Sequence, residues 1–377
     1  MPVKDRIVTW FIQHVLLPRI EIIDKPGFVI NTLSDNRKTT FLREFFLPEK
    51  LFEIIEKNII KEYGDLGKET LYSIGKKFGY IYAAMSEFPT INTHKKKEMT
   101  DFVYYMVKYL ETFYASHADY EVDIDKKILT ISFKDYIICR NNGLGYIMAD
   151  GGSVGIWAYL MQDKTLEATQ LKCQGRGDTE CVIICAPKNK IRDVKGNYFI
   201  EEQLDEMKYE NNYLTLNEVR ETIYARNSMK DLIDINFFEY SKGIVSYKQN
   251  RFFSCDSHIL YVLENEIQRL PEGERILFDS CFEYGRILQK IYGYPDYAKF
   301  IIDFFPAIGF GDVMVNDSQG FKITSVYYPW TTFSEKAKYT IFRGILSGFI
   351  SASLNMNILF KNFTIDIGEY LTLTISE

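Results

Sequence analysis

The chain has 377 residues, 46% of them hydrophobic and 25% charged, enough for two domains of ordinary size with packed cores. A net charge of −6 excludes a general nucleic-acid binder, which needs a basic face for phosphates. No stretch is long and apolar enough to span a bilayer, and the few cysteines do not form a disulfide framework, so a reducing cytoplasm is the expected setting.

Residues 8–17 are apolar between Arg6 and Arg19 and lack a small-residue cleavage site. They read as an amphipathic helix docked on protein rather than as a signal peptide or a membrane-surface helix. After a loop around Asp24–Gly27, a helix is predicted from Pro48, with Leu51, Ile55 and Ile59 as its buried stripe and Gly64 as its stop. The next helix carries Leu71, Ile74, Phe78 and Ile81 on one face. Its Gly75 and Gly79 cost helix propensity, so they predict close packing against a neighbour. A buried helix follows over 101–116, then a hairpin of 122–125 and 128–133 turning at Lys126-Lys127. Strand is predicted at 135–140 and 145–149, around the turn signal Asn141-Asn142-Gly143, and a helix at 153–162. Strands at 166–174 and 180–186 bracket a turn that holds Cys173, Gly177-Asp178 and Cys181. Residues 187–250 read as a seam, with a Thr215-x-x-Glu218 capping box opening a connecting helix.

The plan then recurs. Ile259, Leu263 and Ile267 form a first stripe and Leu277, Cys281 and Leu288 a second, with Gly285 set against Gly75. Residues 108–124 lie over 299–315 without a gap, and Gly155-Ile156-Trp157 lies over Gly344-Ile345-Leu346. In the same frame Cys173 falls on Asn362 and Cys181 on Tyr370, so the second copy lacks the cysteine pair. The expected fold is α+β: two repeated domains, each with helices packed on a twisted antiparallel sheet. Residues 1–45 form an N-terminal helix and loop, 46–190 the first domain, 191–250 the connection and 251–377 a degenerate second domain.

The order of elements in the first copy, a glycine-opened helix, a strand, Cys173, a Gly-Asp turn and Cys181, resembles the C-terminal signature of the 4-vinyl reductase (4VR) domain, and residues 71–79 resemble that family's first core helix. The resemblance implies a hydrophobic pocket bordered by the helix of Trp157. Tyr104, Tyr109, Phe113 and Tyr159 are the aromatic residues placed to join it, as is His117, whose counterpart is Ile308. It also implies zinc at Cys173 and Cys181, yet Gln170 stands where the family has Glu, and no cysteine lies near 146–148, Cys139 being nearest. Two of four ligands match, so the pair is open to three readings: buried thiols, a residual metal site or a redox pair.

His14, His94, His117 and His258 show no metal or catalytic spacing, and the glycines of 150–155 come without a phosphate-loop lysine. The expected function is therefore non-catalytic: a sensor-type protein binding a small hydrophobic or aromatic molecule, with a homodimer or protein partner for its output. The alternative is an assembly scaffold, similar to the small subunits of vesicle-tethering complexes that share this fold family.

Overall fold

A computed structural model of the chain describes residues 22–31, 42–137, 147–191, 224–241, 244–248, 250–293, 295–318, 320–329, 337–366 and 372–377. The N-terminal segment 8–17, His14, Cys139, the Asn141–Gly143 turn and the 215–218 capping box lie outside the described residues, as does the side chain of Phe113. Among the described residues no helix is long and apolar enough to cross a membrane. The chain is mixed helix and antiparallel sheet, the expected α+β class.

The elements run β1 (Ile22–Lys25), β2 (Phe28–Asn31), β3 (Leu42–Pro48), α1 (Glu49–Tyr63), α2 (Asp65–Met85), α3 (Lys96–Tyr114), β4 (His117–Asp123), β5 (Ile128–Lys134), α4 (Ile147–Leu160), β6 (Leu166–Lys172) and β7 (Cys181–Pro187). After the short helices α5 (Lys188–Ile191) and α6 (Met229–Asp234) come β8 (Glu239–Ser241), β9 (Ile244–Tyr247), β10 (Asn250–Asp256), α7 (His258–Ile267), α8 (Gly273–Tyr292) and α9 (Tyr297–Ala307). The chain ends with β11 (Asp312–Asn316), β12 (Lys322–Val326), α10 (Thr340–Leu354), β13 (Asn362–Asp366) and β14 (Thr372–Ser376). Three strands, three helices, a strand pair, a helix and a strand pair thus occur twice in the same order.

Contacts divide the described residues into two units. The first holds 59–137, 147–191 and Ile244; the second holds the rest, so 42–58 group with the second unit.

In the first unit the sheet order is β4-β5-β7-β6, all antiparallel. Leu129, Ile131 and Phe133 on β5 and Cys181, Ile183 and Cys185 on β7 point inward, the period-two pattern of a half-buried strand. Helices α2 and α4 meet backbone to backbone through glycine. A Cβ on Gly79 would lie 2.1 Å from the Gly152 carbonyl oxygen, and one on Gly155 2.2 Å from that of Lys76. The glycines therefore serve the close packing expected of them.

Helix α4 itself corrects the sequence reading. Residues 147–149 are its first turn, not a strand, because Gly151, read as part of a break, is needed inside the helix where it faces the Tyr72 carbonyl. The first hairpin also begins earlier than expected, so that His117 opens β4.

In the second unit a four-stranded sheet of order β11-β12-β14-β13 repeats the first unit's connectivity. Beside it in this unit, Ile244 aside, runs a six-stranded sheet, β1-β2-β3-β10-β9-β8, in which β3 and β10 pair antiparallel at the centre, Phe46 opposite Ser254. The loop expected at Asp24–Gly27 is the tight turn of the β1–β2 hairpin. Buried Arg43 on β3 donates to the Gly27 and Gly309 carbonyls at 3.1 Å each and to that of Tyr327. The core is aromatic: Phe300 stacks on Phe349 at 4.7 Å and Phe310 on Phe342 at 5.3 Å.

Helices α8 and α10 repeat the glycine contact, with Gly344 against the Phe278 carbonyl and Gly348 against that of Phe282. Gly344 faces Phe278 and Phe282 as Gly155 faces Lys76 and Tyr80, so Cys281 matches Gly79 and Gly285 matches Ala83. The sequence pairing of Gly285 with Gly75 is therefore replaced. The last strands also shift by one: Leu373 and Ile375 are the inward residues that match Ile183 and Cys185, where the ungapped frame offers Thr372 and Thr374. A one-residue slip would turn the apolar face outward.

Candidate functional site

The aromatic residues expected to line a first-domain pocket fall into separate sets. Trp157 is fully buried on α4, its indole N–H donating to the Lys127 carbonyl at 2.9 Å. Tyr159, half-buried on the same helix, meets Tyr80 edge to face at 5.5 Å, and burial raises its phenol above the ordinary value, with Glu87 adding to the effect. On α3, Tyr104 sits 5.5 Å from Tyr105 and 6.4 Å from Tyr120 of β4, while Tyr109 is half-buried. His117 stands 3.3 Å from the Glu111 carboxylate. That carboxylate also accepts from Lys108 at 2.9 Å and from the Ala118 amide at 2.8 Å, so the group fastens β4 to α3.

Cys173 and Cys181 are fully buried at the β6–β7 turn. The Cys173 amide donates to Asp178 at 2.7 Å and the Gln174 amide to the Cys181 sulfur at 3.4 Å, which shapes the short 3-10 turn Gln174–Arg176. Among the described residues no group of three or more His, Cys, Asp or Glu side chains could hold a metal ion. A structural zinc takes four donors, and two sulfurs do not fit it.

A candidate ligand site lies in the second unit. A cleft of about 570 Å³ opens between the first turns of α8 and α10 and the chain entering β13. Leu270, Phe278 and Leu359 give it an apolar side, and the backbone of Phe360, whose ring is buried, closes it. Arg275, Lys338, Arg343 and Lys361 bring four cations to its lining, against the carboxylates of Glu272 and Glu274.

Arg343, 7% exposed, is committed to structure: it donates to the carbonyls of Lys338 at 2.8 Å and of Phe360 and Lys361 at 3.3 Å, and to Glu274 at 3.0 Å. Lys338, 48% exposed, reaches the other Glu274 oxygen at 2.5 Å. Burial would raise the Glu274 carboxyl, but the hydrogen bonds from Lys338 and Arg343 outweigh it and hold the group below its ordinary value. Beneath this wall, buried Glu264 accepts from the amides of Lys338 at 3.1 Å and Thr340 at 2.9 Å, fixing the entry to α10. Burial is the larger influence there and raises the Glu264 carboxyl.

At the matching place in the first unit lies a buried ion pair. Tyr72 stands where Glu274 does and Lys76 where Phe278 does. Lys76 pairs with Glu167 at 2.9 Å, with side chains 4% and 3% exposed, and the Tyr72 hydroxyl donates to Glu167 at 2.6 Å while accepting from the Ala168 amide at 2.8 Å. Burial raises Glu167 above the ordinary carboxyl value despite Lys76.

Sequence reading missed the cleft. The available signal was the change from Val154 to Arg343, an apolar residue replaced by a charge beside the matched glycines. No protein-family model matches the chain and no curated protein matches it in sequence, so the likeness to 4VR domains rests on the residues quoted for it.

Proposed function

We propose that the chain is a non-catalytic small-molecule-binding protein, built from two copies of a 4VR-like fold, in which the second copy holds the ligand. The observation that carries this reading is the cleft of about 570 Å³, a volume suited to a small organic molecule, in which Leu270, Phe278 and Leu359 stand beside charged side chains that can orient what enters. At the corresponding place in the first unit Tyr72, Lys76 and Glu167 are tied together in a buried cluster, which favours a supporting role for that copy. A sensor role follows if occupancy changes the wall at Lys338 and the entry to α10.

The test is a thermal-shift screen of the purified full chain with small apolar and amphipathic compounds, run beside Phe278→Trp, which crowds the apolar side of the cleft. Compounds that stabilise the natural chain and not the variant support the reading. Compounds that shift both alike, or none that shift either, refute it. In the second case, a chain that runs as a dimer turns the assignment to the assembly scaffold.

A further inference from the structure

We propose, resting on the reading of the cleft as a ligand site, that it selects molecules with a single acidic head on an apolar body, and that Glu274 is a resident counter-anion which the head displaces from Lys338. Charge complementarity argues for the class. Four cations line the cleft against two carboxylates, so its lining carries an excess of positive charge beside the apolar wall. The cleft also meets the first turn of α8, the end of a helix that favours negative charge.

The individual contacts argue for the residue. Arg343 is fixed by three backbone carbonyls and the Glu274 carboxylate, so it cannot turn to a ligand without releasing the wall. Arg275 is held at the rim by Glu272 and Asp279, each at 3.2 Å. Lys338 differs. Its ammonium has three donors on a flexible stem, is about half exposed, and its partner Glu274 keeps Arg343 when Lys338 leaves. A ligand acid can therefore take Lys338 while the internal carboxylate remains paired. Phe278, with Leu270 and Leu359, supplies the surface for an aromatic or alkyl body.

The experiment uses two matched probes, 4-phenylbutyrate and 4-phenyl-1-butanol, titrated into the full-length chain by calorimetry. The acid is expected to bind more tightly than the alcohol and to weaken as salt is raised. Lys338→Gln should weaken the acid by about two- to fivefold and leave the alcohol unchanged, the range for a half-exposed ion pair. Glu274→Gln should tighten the acid, because it removes the competing carboxylate. Far-UV circular dichroism checks that both variants stay folded, and because they test opposite sides of the pair, loss of fold in one leaves the other decisive. If both probes bind equally and Lys338→Gln changes neither, the acid-selective reading is overturned while the cleft stands as a ligand site. If neither probe binds and the thermal-shift screen is also empty, the ligand site itself is overturned.

Discussion

Gly155 and Gly152 lie three residues apart on α4, and the structure gives the same substitution opposite signs at the two. An alanine Cβ at 155 would sit 2.2 Å from the Lys76 carbonyl oxygen, 2.7 Å from the Tyr80 nitrogen and 3.0 Å from the Gly79 Cα. All three are backbone atoms of α2, so no side chain can swing away. The helices must part by about 1 Å, enough to forfeit a quarter to a half of the dispersion attraction along the contact. Overpacking of this kind costs about 1–3 kcal/mol or more, and a rigid obstacle places it at the upper end. Alanine returns about 1 kcal/mol of helix propensity, leaving a net loss of about 2 kcal/mol. At Gly152 the new Cβ meets only the Gly75 carbonyl at 3.8 Å, an ordinary contact, so propensity acts alone and Gly152→Ala should gain about 0.5–1 kcal/mol. Urea unfolding would follow Trp157, buried on the same helix, in a background with Trp10 and Trp330 replaced by Phe. With a slope of about 2 kcal/mol per molar urea, the midpoint should fall by about 1 M for Gly155→Ala and rise slightly for Gly152→Ala. A Gly155→Ala protein as stable as the natural one would refute the backbone contact between the helices.

Other sites can be tested with the same unfolding curves. Lys76→Met leaves Glu167 buried without its cation and should cost about 3–5 kcal/mol, while Lys76→Met with Glu167→Leu should recover most of that; a double variant as unstable as the single would show that charge is not the cause. Glu264→Ala removes the acceptor of the Lys338 and Thr340 amides, at about 1–3 kcal/mol for each buried group left unpaired. Hydrogen exchange at those two amides should quicken, and unchanged protection there would count against the anchor. Glu274 is depressed in the folded state, so the unfolded chain takes up its proton first, and the stability it adds is present above the ordinary carboxyl value and lost as pH falls through the folded one. Glu264 is raised, so its contribution has the opposite sign and weakens as pH rises through the carboxyl range. Melting curves from about pH 3 to about pH 6 should therefore show a flatter acid limb in Glu274→Gln, and an unaltered limb would contradict the pairing with Lys338 and Arg343.

Several local signals in the sequence were read correctly, although the described residues 135–137 are not the strand expected there. The stripe of Leu51, Ile55 and Ile59 is fully or almost fully buried, and the Lys126-Lys127 turn joins β4 to β5. Gly75 and Gly79 announced a close approach because no other residue type fits against the backbone of α4. What was not legible depends on partners distant in the chain. The segment Leu42–Pro48 is a strand because Leu47 finds Phe253 on β10, and β9 and β8 extend the same sheet to its edge, although these strands lie in stretches read as loop or seam. Helix α4 starts early because tertiary packing overrides the poor propensity of two successive glycines.

The candidate site was missed for a related reason. The glycine-fastened helix pair is a rigid frame that each unit repeats, so the chemistry lies in the residues flanking the glycines. In the first unit those residues are Tyr72, Lys76 and Val154, and the first two bind Glu167 from β6 in a buried ion pair. In the second unit they are Glu274, Phe278 and Arg343. Arg343 turns its charge to backbone carbonyls and Glu274, and Lys338 is left half exposed at the cleft wall. A buried pair completed inside the protein gives a ligand nothing to improve upon, because any entering group must first replace a bond already made in low dielectric. A half-exposed pair costs far less to exchange. The same frame can thus carry a buried pair with one residue set and a half-exposed one with another, and for this reason we propose binding in the copy without the cysteine pair.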